Sequence, residues 1–144
     1  MHAPAAATAT GALLLCVACG SAPPQASRAW RSNASQLLTQ LRGDVASVQA
    51  VGASRRAFTS TGDLYVLLVA YSDLSGCFAM AADTAAPEHV IRVLSQPCPH
   101  LERAAALFTE AEAASSPRLL ARAVREAGLA EPAFVRAGAA LRAR

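Results

Sequence analysis

Apolar residues in this chain recur at alternating spacings of three and four, and that period sets the fold class before composition is considered. Ile91, Leu94, Cys98, Leu101, Ala105 and Phe108 form the most regular seam. An α-helix turns once every 3.6 residues, so these positions share one side of it, whereas a strand sends alternate residues to opposite faces. Pro97 and Pro99 interrupt the seam. Proline removes a backbone donor and collides with the preceding turn, so a helix here should kink or divide near Cys98.

The same period runs through residues 28–52. Trp30, Ala34, Leu37, Leu38, Leu41, Val45 and Val48 make one stripe, with Ser27 placed to cap it and Gly52 to stop it. Ser60-Thr61-Gly62-Asp63 has the chemistry of a helix start, with Ser60 as N-cap and Asp63 in the first turn. It opens the run Leu64 to Tyr71, which is apolar throughout and rich in β-branched and aromatic residues. Periodicity cannot separate a buried helix from a buried strand over so short a run. The apolar pattern continues through Leu74, Phe78 and Ala81, which favours a helix of about 20 residues. A strand over 64–71 would instead make the domain α+β.

Pro87-Glu88 suits the first turn of a third helix, Ser116-Pro117 opens a fourth, and Glu131-Pro132 starts a short last one reaching Leu141. Gly128 is placed to end the fourth. Composition points the same way. Hydrophobic residues are 53% of the chain but aromatics only 5%, and much of the rest is alanine, the strongest helix former. The expected architecture is all-α, an up-and-down bundle of about four helices over residues 28–144.

The N-terminus has a different character. Residues 11–18, Gly-Ala-Leu-Leu-Leu-Cys-Val-Ala, are an apolar run too short to span a bilayer, for which about 20 residues are needed. Cys19-Gly20-Ser21 follows, then a small-residue and proline stretch to residue 27 with the composition of a tether. Val17-Ala18-Cys19-Gly20-Ser21, approached by Leu13, Leu14 and Leu15, resembles the lipobox of bacterial lipoprotein precursors. Two positions depart from that pattern: Cys16 stands where leucine is usual, and the first ten residues contain neither arginine nor lysine. The resemblance implies a signal peptide over 1–18, acylation of Cys19 by palmitate-type chains, a tether over 19–27, and a cell-envelope address on the extracytoplasmic face of the membrane. It covers only the first twenty or so residues and implies nothing about the domain behind them.

Given that address, signal-peptide removal discards Cys16 and acylation consumes Cys19. Cys77 and Cys98 remain, an even pair in an oxidising compartment. The midpoint between them falls at residues 87 and 88, so a hairpin turning at Pro87 would let them meet as a disulfide. The competing possibility is two buried free thiols acting as small apolar residues.

Chemistry-bearing motifs are sparse. His89, Cys98, His100 and Glu102 are the only grouping with ligand-like residue types, and they lack zinc-site spacing. No Gly-x-Ser-x-Gly elbow or phosphate-binding glycine loop occurs, and no cofactor is expected. All 13 basic residues are arginine, yet the net charge is only +3, too little for a nucleic-acid footprint. Arg118, Arg122 and Arg125 fall on one side of the fourth helix and, with Arg136, Arg142 and Arg144, offer a basic surface for anionic headgroups or an acidic polymer. A solvated helix face explains the same spacing. Three functional expectations follow. The first is a non-enzymatic interaction module contacting an envelope protein or a cell-wall component. The second is a small-ligand carrier with a pocket lined by Trp30, Tyr65, Tyr71 and Phe108. The third is an envelope enzyme using His89 or His100.

Overall fold

A computed structural model describes residues 28–54, 56–81 and 88–143. Among the described residues seven helices follow in order: α1 (Arg28–Gly52), α2 (Thr61–Ser75), α3 (Cys77–Ala81), α4 (Glu88–Leu94), α5 (Cys98–Ala113), α6 (Pro117–Gly128) and α7 (Glu131–Arg142). No strand occurs among the described residues, and the run over 64–71 lies wholly within α2.

The seven helices form four rods. Along α1, Gly52 meets Val124, Gly128 faces Gln49, Arg42 bonds Glu131, and the Arg31 guanidinium donates to the Ala143 carbonyl. One number falls as the other rises, so α6 and α7 lie end to end and antiparallel to α1. Between them, the Leu129 N–H is shared by the Arg125 and Glu126 carbonyls. Pro132 then supplies no donor, and the helix restarts as α7. The same argument joins α4 to α5: Gln96 bonds Arg136 of α7, and His100 contacts Glu126 of α6. Pro97 divides that rod, as the proline pair in the seam predicts. α2 and α3 form the remaining rod.

The single helix expected over residues 61–81 is two helices. The Gly76 N–H bonds back to the Asp73 carbonyl at 3.1 Å, a tight turn that ends α2 before Cys77 opens α3. Gly52 and Gly128 close α1 and α6 as their last residues rather than following them. At Gly52 a Cβ would overlap the Val124 side chain, so glycine there permits the close approach of α1 to α6.

Neighbouring rods pack as a ring: α1 on α2, α2 on α5, α5 on α6, and α6 on α1. α7 packs on α1 and α4. On α1 and along the α4–α5 seam the inward face is the one the three-four spacing marks. Trp30, Ala34, Leu38, Leu41, Val45 and Val48 are the buried residues of α1. Leu94, Cys98, Leu101, Ala105 and Phe108 are buried along the divided seam. Alanines fill much of the rest: Ala104, Ala111, Ala123, Ala127, Ala130 and Ala137 are fully buried, so helices of small side chains sit close together. Serine caps two helices, Ser60 as expected and Ser116 in addition. The Asp63 N–H donates to Ser60 Oγ at 3.3 Å and the Leu119 N–H to Ser116 Oγ at 3.4 Å. Ser27, Pro87 and Arg144 lie outside the described residues.

Candidate functional site

Cys77 and Cys98 are joined as a disulfide, with their α-carbons 5.3 Å apart. Each stands at the first residue of its helix, α3 and α5, because the breaks at Gly76 and Pro97 bring those two helix starts together. Both are fully buried among the residues of the core. The bond removes Cys98 from any ligand set. Among the described residues no group of three or more histidine, cysteine or acidic side chains is placed to hold a metal. The side chain of His89 and the whole of Cys19 lie outside the described residues.

His100 is placed differently. Its Nδ1 lies 2.8 Å from Glu126 Oε1, an ion pair when the ring is protonated, with the carboxylate mostly buried. Glu126 also lines a groove of about 510 Å³ between α5 and α6. Three guanidiniums border that groove: Arg103 from α5, and Arg122 and Arg125 from α6. Ala106, Leu107 and Leu129 give it an apolar lining, and Glu110 stands at its edge. Among the described residues none of the three arginines forms an ion pair.

The arginines marked in the sequence therefore divide. Arg122 and Arg125 meet at the groove, whereas Arg136 is turned to Gln96 and Arg142 lines a separate groove between α1 and α7. Arg118 is exposed on α6. Arg103 and Glu110 escaped the sequence reading because only the antiparallel pairing of α5 with α6 places them opposite Arg122 and Arg125. Arg103 sits one helical turn after His100, a spacing too common to single it out.

The four aromatics expected to line one pocket occupy different settings. Tyr71 and Phe108 stack on each other, ring centroids 4.4 Å apart and planes 12° from parallel, as part of the core. Trp30 is buried on α1, while Tyr65 is exposed on α2. The Tyr71 hydroxyl is buried without a hydrogen-bond partner among the described residues, and burial pushes its phenol above the usual range. An unsatisfied buried donor costs about 1–3 kcal/mol, which the stack, at about 0.5–1.5 kcal/mol, offsets in part.

A second polar group lies between α1 and α2. Asp44 Oδ2 is buried and unpartnered among the described residues. Burial first, and then the nearby charge of Asp73, raise the Asp44 carboxyl above its ordinary range. Asp73 itself accepts a 3.2 Å hydrogen bond from Gln40.

The outer face of α2 carries Tyr65, Val66, Leu68 and Val69, all exposed. Among the described residues no helix is long and apolar enough to cross a membrane. Comparison with protein-family models, curated proteins and solved structures returns no match for this chain.

Proposed function

We propose that this chain is a membrane-anchored lipoprotein of the cell envelope, held through acylated Cys19, whose helical bundle is a non-enzymatic interaction module. The Cys77–Cys98 disulfide carries the reading. A structural disulfide between buried residues belongs to an oxidising compartment. With these two cysteines paired, the others are Cys16 and Cys19, both within the segment that resembles a lipoprotein precursor. A diacylated or triacylated cysteine supplies about 0.8 kcal/mol for each CH₂ buried, enough for stable anchoring.

The test is the intact mass of the protein extracted from its native membrane without reductant. The expected species begins at Cys19, carries acyl chains and is lighter by two hydrogens than its dithiol. A full-length, unacylated species with two free thiols would overturn the reading.

One observation favours an enzyme as second reading: His100 does meet a carboxylate, Glu126, beside a groove. A histidine held by a carboxylate can act as general base. The lining offers no hydroxyl, thiol or amine side chain to activate, so water would be its nucleophile. Loss of a hydrolytic activity in His100→Gln, with folding intact, would support that role. An activity unchanged by the substitution would remove it.

A further inference from the structure

The α5–α6 groove brings together charged side chains with no use in the packing of the bundle. Arg103, Arg122 and Arg125 are all exposed and carry no ion pair among the described residues, though they border one concavity of about 510 Å³. Of the two carboxylates in the lining, Glu126 is already engaged by His100. Glu110 and Glu126 are the two carboxylates set against three guanidiniums. Counting every charge, three arginines and two glutamates leave the lining at +1 with His100 neutral, and protonated His100 adds one more.

A guanidinium presents a planar fork of donors that matches the oxygens of a phosphate, and charge-assisted pairs of this kind are the strong hydrogen bonds of proteins. The groove also has an apolar side. Leu129 is exposed at the α6–α7 break, where Pro132 interrupts the helix, and Ala106 and Leu107 continue that surface from α5. A ligand suited to both halves carries phosphate beside hydrocarbon.

We propose that the α5–α6 groove binds a phosphate group through Arg103, Arg122 and Arg125, with an apolar substituent of the ligand lying on Ala106, Leu107 and Leu129. The source is either a phospholipid or a free phosphate ester. The inference goes beyond the envelope reading and stands whether or not Cys19 is acylated.

The experiment titrates the full chain with two soluble probes, dihexanoyl phosphatidylglycerol below its micellar concentration and inorganic phosphate, in wild type and in the Arg122→Gln/Arg125→Gln variant. Both arginines are exposed, and matching thermal unfolding of the variant would show the fold unharmed. Saturable binding that weakens by roughly tenfold or more in the variant is expected, the scale of one lost charge-assisted pair. Tighter binding of the phospholipid than of inorganic phosphate supports the site, with both its arginines and its apolar side engaged; equal binding of the two probes overturns the apolar contact on Ala106, Leu107 and Leu129. Binding unaffected by the substitutions, or no binding of either probe, overturns the proposal. So does a preference at these arginines for polyglutamate, which would mark an acidic polypeptide as the partner.

Discussion

Helices α2 and α6 occupy opposite corners of the ring, and both pack against α1 and α5. α6 buries Leu120, Ala123 and Ala127 and turns Arg118, Arg122 and Arg125 to solvent. α2 buries Leu67, Ala70, Tyr71 and Leu74 yet also exposes Tyr65, Val66, Leu68 and Val69. The pattern of α6 names its own inward side. α2 is apolar on most of its circumference, so its inward side is chosen by its neighbours: the Tyr71–Phe108 stack with α5, and the nearby disulfide. An amphipathic helix carries its orientation in its sequence, and an apolar one acquires it on packing.

The largest effect expected from breaking this comparison concerns α2. Leu67 is fully buried and Leu68, one residue on, is exposed. Leu67→Ala should cost about 2–5 kcal/mol in urea unfolding, and Leu68→Ala under about 1 kcal/mol. Equal losses would mean that the outer face of α2 is covered.

The next test concerns how closely α6 sits on α1. Gly52→Ala should cost about 1–3 kcal/mol because its methyl group would overlap Val124. In a Val124→Ala background the same change should be neutral or stabilising, since helices prefer alanine to glycine. A penalty that persists without the valine side chain would locate the crowding elsewhere.

A smaller gain is expected where the chain enters α6. Ser115 holds φ at 45°, the left-handed region usually left to glycine. Its N–H reaches the Glu112 carbonyl, and the next N–H reaches that of Ala111, closing the end of α5. Ser115→Gly should therefore raise stability by about 0.5–1 kcal/mol in thermal unfolding. A loss would show that the serine side chain contributes more than its backbone strain costs.

The smallest effect sharpens the α2 side. Burial, and behind it Asp73, hold the Asp44 carboxyl above its ordinary range in the fold. The folded state keeps that proton to higher pH than the unfolded chain does. The contribution of this group to stability therefore falls as pH rises through the carboxylate range. Asp44→Asn should remove that fall, so its stability gain over wild type should be larger at about pH 7 than at about pH 3. An equal gain at both pH values would mean that hydrogen bonding, not charge, is responsible.

Much of the core was legible because amphipathic helices repeat their contacts every turn. The stripe from Trp30 to Val48 and the seam from Leu94 to Phe108 were marked by spacing alone. The Ser60 cap was marked by residue type, and the Cys77–Cys98 bond is one of the two outcomes the sequence left open for that pair. The division at Gly76 was weaker as a signal, since a single glycine lowers helix propensity without dictating a turn. The groove was only half visible. Arg122 and Arg125 share a helix face, whereas Arg103 and Glu110 belong to another helix and no local pattern links them.

The sequence by itself determined that the domain is helical and which faces of α1, α5 and α6 turn inward, because these depend on periodicities and caps that act over a few residues. Only the tertiary structure decided that the seven helices of the described residues stack as four rods, which side of α2 is buried, and that Glu126, held by His100, and three arginines border one groove. Those outcomes depend on contacts between residues far apart in the chain. Such contacts are fixed by how the helices fit together, and no local spacing records them.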